Sequence, residues 1–279
     1  MRKSKLLTIL SASLMLLLAG CGSTTTSETK NSQEVSANGK KEIIVGVSPV
    51  YKDIANVVKE EFDKGDYTLK VQLFDDNILP NVALDEGSVD INFFQHGIYL
   101  DKYNESNGTE LEAYGDGILK YFMGIFPKEI KDLESLGDGA TVSIPNDNAN
   151  RARALKTLAH NNLITLKENV EFPTIIDVVD NPKNLKFIEM DVLKQVSSIK
   201  DVDISVINSI TVTQAGLDAS AAIAKESEEE SQRYAIVVAV KKNAGNEEYA
   251  KLFKEAAFKG SLDEYLKENF GEALYLSAK

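Results

Sequence analysis

Residues 143–153 combine residue types that could bind a small anionic ligand. The segment is predicted to contain the end of a strand, a turn with Asp147 and the start of a helix. Asn150 and Arg153 are three residues apart, so they share one face of the first helical turn. An arginine here could hold a carboxylate through two parallel hydrogen bonds, near the positive end of the helix dipole. The alternative is that Asp147 caps the helix and Arg153 is an ordinary surface residue.

A second candidate cluster lies in residues 93–99, also at a predicted strand end. His96 could hydrogen-bond a polar ligand, while Phe94 and Tyr99 would form an apolar wall. The alternative is an aromatic core cluster that contains one hydrogen-bonded histidine. His160 is the only other histidine and lies on a separate helix with no ligand pattern around it, so we predict no metal site.

No catalytic motif is recognisable in the chain. The sequence contains no Gly-x-Ser-x-Gly, no phosphate-binding loop and no His-Glu-x-x-His. The only cysteine, Cys21, follows an N-terminal leader and is not available as a nucleophile. We therefore predict that the chain is not an enzyme, has no catalytic residues and uses no cofactor.

The N-terminus has the pattern of a bacterial lipoprotein signal peptide. Three basic residues precede an apolar run at 6–18, and Leu18-Ala19-Gly20-Cys21 places small residues before the cysteine. The run is shorter than the roughly 20 apolar residues of a transmembrane span. We predict a signal peptide at 1–20, a lipid such as palmitate on Cys21 and a flexible polar tether at 21–41. The protein would be anchored to the extracytoplasmic face of the cell membrane.

The charge of the mature chain excludes several classes of partner. Of the 31 basic residues three lie in the leader, so 28 remain against 43 acidic residues, a net charge of −15. This charge argues against nucleic-acid binding and against a body that lies on anionic lipid. The acidic run at 226–230 has no metal-ligand spacing, and we interpret it as a solvated loop.

Predicted strands and helices alternate along the body of the chain, which is typical of an α/β fold with largely parallel sheets. The predicted strands are 42–47, 68–74, 89–94, 141–144, 185–190, 204–207 and 234–240, and the helices are 54–62, 81–86, one beginning at 97, 148–160, 247–257 and 262–269. The length suits two lobes. We assign 42–121 with 238–279 to the first lobe and 122–237 to the second, with hinge crossings at 120–123 and 234–240.

Several short motifs occur in a fixed order after the leader. They are Leu79-Pro80-Asn81, Phe94-Gln95-His96 with Tyr99-Leu100-Asp101, Ile144-Pro145-Asn146-Asp147 with Asn150 and Arg153, Asn181-Pro182, and Val206-Ile207-Asn208. Together they resemble the motifs of the methionine-binding lipoproteins of the NlpA/MetQ type, which are substrate-binding proteins of ABC importers. The resemblance covers nearly all of the mature chain.

The resemblance implies a two-lobed, type II-like periplasmic-binding-protein fold, in which each lobe is a mostly parallel sheet flanked by helices. Arg153 would bind the carboxylate of an amino acid. The other implied ligand-binding residues are Asn150, Asn208, Phe94, His96 and Tyr99. The implied partners are an amino acid or small peptide, ABC permease and ATPase subunits, and the membrane through the lipid anchor, with the chain as a monomer. The alternative is a surface adhesin or scaffold lipoprotein on the same fold without a transport ligand.

Three positions depart from the pattern of the family. Asn77 stands where the family has a tyrosine, Thr211 stands where a second tyrosine is usual, and Ala235 aligns with a pocket asparagine. A lost polar partner costs about 1–3 kcal/mol. We therefore expect weaker methionine binding, or a preference for another amino acid or for a larger ligand such as a methionine-containing dipeptide.

Overall fold

A computed structural model of the protein describes residues 39–277 of the 279-residue chain. The predicted signal peptide, Cys21 and most of the tether lie outside the described residues. Residues 39–277 belong to a single compact unit. In this part of the chain no helix combines the length and the apolar composition that crossing a membrane requires.

Within the described residues, strands and helices alternate over much of the chain as predicted, but four strands at 111–145 and three at 165–190 follow one another with no α-helix between them. The strands are β1 (Lys41–Val47), β2 (Tyr67–Leu73), β3 (Ile91–His96), β4 (Leu111–Ala113), β5 (Leu119–Tyr121), β6 (Met123–Pro127), β7 (Thr141–Pro145), β8 (Thr165–Leu166), β9 (Val178–Asp180), β10 (Lys186–Met190), β11 (Ile204–Asn208), β12 (Ala224–Lys225), β13 (Ile236–Lys241) and β14 (Leu274–Leu276). The helices are α1 (Lys52–Phe62), α2 (Leu79–Glu86), α3 (Gly97–Asn107), α4 (Asn148–His160), α5 (Gln195–Ser198), α6 (Ser209–Gln214), α7 (Glu228–Gln232), α8 (Glu247–Lys259) and α9 (Leu262–Phe270).

The first sheet has the strand order β14-β5-β13-β3-β1-β2, and β4 also pairs with β13. Its centre is apolar because β1 and β3 are rich in β-branched and aromatic residues, which pack well on a pleated surface. Phe93 on β3 is fully buried, and its ring packs 5.1 Å from that of Phe253 on α8. Burial of such a side chain stabilises the fold by about 1.5–3 kcal/mol.

The second sheet has the order β10-β7-β11-β6-β12. It contains the strand that precedes α4, and α4 packs on it through buried residues such as Leu155 and Leu158. A separate two-stranded pair, β8 with β9, lies outside both sheets. Helix α4 begins and ends where the sequence pattern predicts, at 148 and 160.

The strand directions differ from the expected mostly parallel arrangement. The parallel neighbours are β1 with β2 and β3 in the first sheet, and β7 with β10 and β11 in the second. The remaining pairs within these two sheets are antiparallel, so both sheets are mixed. The double crossing of the chain between the sheets explains two of these six antiparallel pairs. The chain leaves the first sheet along β5 and returns to it along β13, so these two neighbours must run in opposite directions, and the same holds for β6 and β12.

The two crossings between the sheets have different lengths. The first is Phe122 alone, between β5 and β6, within the predicted segment 120–123. The second spans residues 226–235 and includes α7, so it begins earlier than the predicted segment 234–240, most of which belongs to β13. The lobe boundaries and the hinge motion stay predictions.

Candidate ligand-binding site

A cavity lies where the carboxyl ends of strands from the two sheets come together. Ser48 follows β1, His96 ends β3 and Asn208 ends β11. Ligands of open α/β sheets bind at such strand ends. About 430 Å³ of space not occupied by atoms lies in and around the cavity, and this figure includes the solvent at its mouth. Its lining residues are Ser48, Val50, Tyr51, Asn77, Phe94, Gln95, His96, Tyr99, Tyr121, Asn150, Val192, Leu193, Asn208, Ile210, Thr211 and Ile236.

The structure brings five of the six predicted ligand-binding residues to this cavity. Phe94, His96 and Tyr99 come from the first sheet and α3, and Asn150 and Asn208 come from the second sheet and α4. Arg153, the sixth, does not line the cavity. Its guanidinium lies behind Tyr121, which does line it.

The wall formed by β3 is held in place by a buried network of amides. The Asn81 side chain donates to Gln95 Oε1 at 2.8 Å, and Gln95 Nε2 donates back to Asn81 Oδ1 at 2.6 Å. Asn92 Nδ2 also donates to Asn81 Oδ1, at 2.8 Å. All three residues are buried, so each broken partnership would leave an unpaired amide group. The network therefore fixes the end of β3 that carries Phe94 and His96.

His96 is a neutral imidazole with a defined tautomer. Its Nδ1 accepts a hydrogen bond from the Tyr99 N–H at 3.0 Å and caps α3, so the proton lies on Nε2, which donates to Asn150 Oδ1 at 3.3 Å. Burial, followed by the nearby Arg153 cation, lowers the pKa of His96 to about 3, although the bond to Asn150 acts in the opposite direction. His96 therefore contributes a fixed, uncharged ring at neutral pH.

Asn150 links His96 to the start of α4. Its backbone N–H and its side-chain Nδ2 both donate to Asp147, which is the N-cap of the helix. Burial raises the pKa of Asp147, against the lowering effect of the hydrogen bonds from Asn150. The cap that sequence reasoning offered as an alternative to a binding role is therefore present, and the same turn also contributes Asn150 to the cavity.

Arg153 is fully buried, which excludes the surface position considered for it. Its Nε and Nη2 donate to the two carboxylate oxygens of Glu226 at 2.8 and 2.6 Å, and Nη2 also donates to the Tyr121 carbonyl at 3.2 Å. The guanidinium carbon lies 4.6 Å from the ring centre of Tyr121 and 4.2 Å from that of Tyr234. Burial alone would lower the pKa of Arg153, but the Glu226 carboxylate raises it above its ordinary value, so the side chain is a permanent cation.

Glu226 corrects the interpretation of the acidic run at 226–230 as a solvated loop. Its side chain is 1% exposed, pairs with Arg153 and accepts a hydrogen bond from the Met123 N–H at 2.8 Å. Glu230 pairs with Lys156 at 3.2 Å, and residues 228–232 form α7. The sequence did not single out Glu226 because it is followed by four acidic or polar residues, and nothing in the run indicates that only its side chain is fully buried. Its position directly after the short strand β12 is the signal that could have distinguished Glu226 from the exposed glutamates that follow it.

Three buried polar atoms in and beside the cavity have no hydrogen-bond partner among residues 39–277. Ser48 Oγ and Asn208 Oδ1 belong to cavity-lining residues, and Nη1 of Arg153 lies on the guanidinium edge that Glu226 leaves free. Unpaired buried polar atoms are rare in native proteins. The lining therefore has two unpaired acceptors, and the cation behind it has one unpaired donor. Ser48 was not among the residues predicted from the sequence.

The three departures from the family pattern fall at different places. Asn77 and Thr211 line the cavity, and the Asn77 carbonyl accepts a hydrogen bond from the Tyr99 hydroxyl at 2.9 Å. Ala235 does not line it. A Cβ on Gly117 would lie 2.4 Å from the Ala235 methyl, so Ala235 packs closely against the backbone there. The cavity-facing residue of β13 is Ile236, one position further along.

No group of three or more His, Cys, Asp or Glu side chains that could hold a metal ion occurs within residues 39–277. The cavity has one aromatic wall, unpaired acceptors in its lining and a buried cation behind it.

Comparison with known proteins places this chain in the class of substrate-binding proteins. A family model described as NlpA lipoprotein matches residues 43–276. The D-methionine-binding lipoprotein MetQ of Escherichia coli K12 is 38% identical over 207 residues, which are 72% of each chain. Outer membrane lipoprotein 1 of Mannheimia haemolytica is 35% identical over 73% of this chain and 74% of its own.

Solved structures agree with the sequence comparisons. A nutrient-binding protein from Burkholderia cenocepacia bound to methionine superposes with a TM-score of 0.79 at 31% identity, over 85% of this chain and 100% of its own. The chain belongs to the NlpA lipoprotein family, and it is a substrate-binding lipoprotein of the ABC-importer class. The α/β periplasmic-binding-protein fold predicted from the sequence is confirmed. The family is one of binding proteins and not of enzymes.

Proposed function

We propose that this protein captures a free amino acid or a short peptide outside the cell and presents it to an ABC permease and its ATPase subunits. Methionine is the first candidate ligand. The lipid on Cys21 would hold the protein on the extracytoplasmic face of the cell membrane as a monomer, and residues 21–41 would serve as the tether. A tether raises the effective concentration of the binding protein at the entrance of the transporter.

The observation that carries this proposal is the set of unpaired polar atoms around a partly aromatic cavity. An amino acid has a carboxylate that needs a cationic donor and an ammonium group that needs acceptors. Ser48 Oγ and Asn208 Oδ1 are such acceptors in the cavity lining, and Arg153 Nη1 is such a donor behind Tyr121. Phe94 and Tyr99 supply apolar surface for a side chain such as a thioether, which makes favourable contacts with aromatic rings.

The ligand named for the relatives supports methionine as the first candidate. The Escherichia coli relative carries D-methionine binding in its name, and the Burkholderia cenocepacia structure contains methionine. Asn77, Thr211 and Ile236 line the cavity here and contribute no aromatic ring. We expect this lining to weaken methionine binding or to favour another amino acid or a methionine-containing dipeptide.

Titration calorimetry on a chain that begins at Gly22 tests the proposal. The ligands are L-methionine, D-methionine, the other amino acids and methionine-containing dipeptides. We expect one of these to bind with a stoichiometry of one ligand per chain. Sub-micromolar binding of L-methionine alone would contradict the expected shift in preference. If none of the ligands binds, the proposed function fails and the adhesin or scaffold alternative is favoured.

A matched variant ties any binding to the cavity. Asn208→Leu removes an unpaired acceptor from the lining, whereas Asn161→Leu changes an asparagine at the far end of α4, whose side chain donates to the Lys225 carbonyl. We expect the first variant to weaken binding and the second to leave it unchanged. Equal binding by both variants and the parent chain would place the ligand elsewhere.

A further inference from the structure

We propose that Glu226 competes with the carboxylate of the ligand for Arg153 and thereby limits how tightly the site holds a carboxylate. The inference rests on the proposed function, because it requires that Arg153 receives the carboxylate. It adds a role for Glu226, which sequence reasoning placed in a solvated loop. Glu226 would be a specificity-determining residue that does not itself contact the ligand.

The geometry divides the guanidinium into an occupied part and a free part. Glu226 accepts from Nε and Nη2 through both of its oxygens, an arrangement that gives planar, paired charge-assisted bonds. Nη1 has no partner within the described chain. A ligand carboxylate would therefore share the guanidinium with a carboxylate of the protein, through the one nitrogen that remains.

Because Arg153 and Glu226 are buried, the electrostatic cost of sharing the guanidinium between two carboxylates is large. The side chains of Arg153 and Glu226 are 0% and 1% exposed, so their charges are little screened by solvent ions. Before the ligand arrives, the positive charge of Arg153 is already balanced. A ligand carboxylate at Nη1 would be attracted by Arg153 and repelled by Glu226 across the width of one guanidinium, and like charges at such separations disfavour each other strongly.

The guanidinium has supports that do not depend on Glu226. Nη2 donates to the Tyr121 carbonyl, and the ring centres of Tyr121 and Tyr234 lie 4.6 and 4.2 Å from the guanidinium carbon. Removal of the Glu226 charge would therefore leave Arg153 close to its present position. Its charge would then be unbalanced and available to the ligand. A residue whose only role was to orient Arg153 would have the opposite effect, because binding would weaken on its removal.

The test compares L-methionine with L-methioninamide, which replaces the carboxylate by a neutral carboxamide. The measured quantity is the ratio of the two dissociation constants, at a pH that keeps both amines protonated. In Glu226→Gln we expect the preference for methionine over methioninamide to rise by about tenfold or more, mainly through slower dissociation of methionine. The matched control is Glu228→Gln, which removes the same charge from an exposed glutamate of α7 and should leave the ratio unchanged.

The outcomes separate the inference from the function on which it rests. If the parent chain binds neither probe, the proposed function fails, and the inference fails with it. If the parent chain prefers methionine but Glu226→Gln loses or merely keeps that preference, the function stands and the competition is refuted. If Glu226→Gln does not fold alone, thermal unfolding is measured with each probe. Recovery of the fold by methionine and not by methioninamide supports the inference, and recovery by neither or by both overturns it.

Discussion

The two sides of the cavity solve different physical problems. The side built from the first sheet is uncharged, and most of its polar groups are satisfied internally: both nitrogens of His96, the Tyr99 hydroxyl and the Gln95 amide have partners. The exception is Ser48 Oγ. The side built from the second sheet has the buried ion pair of Arg153 and Glu226 behind it and the unpaired Asn208 Oδ1 in its lining.

This difference shows which side of the cavity has most of its polar atoms paired in the absence of a ligand. Satisfied amides and rings form a wall whose shape is fixed by the fold alone. Unpaired atoms cost free energy in the empty protein, so they are explained by a partner that arrives later. We infer that the first side, apart from Ser48, shapes the apolar part of the ligand and that the second side holds most of its polar groups.

Removal of Arg153 should have the largest effect, because it destroys the buried ion pair of the second side of the cavity. In Arg153→Ala the Glu226 carboxylate becomes a buried charge without a counter-charge, so we expect the free energy of unfolding to fall by about 3–5 kcal/mol. We also expect the ligand-induced rise in melting temperature to disappear. Calorimetric unfolding with and without ligand measures both effects.

The double variant Arg153→Met with Glu226→Leu provides the control for this prediction. It removes both charges and fills the space with apolar groups, so most of the stability should return while ligand binding stays absent. A double variant that binds ligand as the parent does would show that the second side does not depend on its ion pair.

Two amides on opposite sides should respond in opposite ways. Asn208→Leu removes an unpaired acceptor, so we expect little change in the free energy of unfolding and a loss of about 1–3 kcal/mol in ligand binding. Gln95→Leu breaks its bonds with Asn81 and Asn92, so stability should fall by about 1–3 kcal/mol. Chemical denaturation and calorimetry on both variants test this. Similar losses of stability in the two variants would contradict the proposed difference between a paired amide on the first side and an unpaired amide oxygen on the second.

Acid should weaken the fold through the first side before it affects most carboxylates. The pKa of His96 is about 3 in the folded chain against an ordinary value of 6.5, so below 6.5 the unfolded chain binds a proton that the folded chain does not. Stability is therefore lost as the pH falls. Between about pH 7.5 and pH 5.5 we expect a loss of about 1.4 kcal/mol from this residue.

His96→Gln isolates this contribution. The variant should lack the loss of stability between those pH values, whatever its absolute stability, while His160→Gln should retain it. Urea denaturation at a series of pH values gives the comparison. An unchanged pH dependence in His96→Gln would show that the ring is not buried as a neutral group.

Restoration of an aromatic ring should have the smallest effect. Thr211 lines the cavity, and Thr211→Tyr adds a ring beside the ligand, which we expect to strengthen methionine binding by about 0.5–1.5 kcal/mol. Thr213→Tyr places the same ring further along α6, outside the lining, and should leave binding unchanged. Weaker methionine binding in Thr211→Tyr would show that the space is needed for a ligand larger than methionine.

The sequence predicted the elements whose patterns are long and locally determined. Helix α4 follows from its apolar spacing and the Asp147 cap, and α2 ends before Gly87, whose φ of 74° suits a residue without a side chain. The short strands β4, β5, β12 and β14 have too few residues to show a period. Their existence depends on neighbours that are distant in sequence, such as β13 for β4.

The candidate site likewise contains residues that the sequence predicted and residues that it did not. Residue types and motif order pointed to Phe94, His96, Tyr99, Asn150 and Asn208, all of which line one cavity. Whether they bind a ligand stays a prediction. The partner of Arg153 could not be predicted, because Glu226 lies 73 residues away in a run of similar glutamates. Ala235, which the resemblance aligned with a pocket asparagine of the family, does not line the cavity, whereas the next residue, Ile236, does.

The amino-acid sequence by itself determined the α/β class, the helix caps and the family, because these depend on local periodicity and on short motifs. Only the tertiary structure decided that Arg153 is buried, that Glu226 occupies two of its nitrogens, and that Ser48 and Asn208 keep unpaired oxygens. The physical reason is that hydrogen-bond and charge partners are set by proximity in space. In this chain the partners around the cavity belong to different sheets or to the segments between them, and they are far apart in sequence.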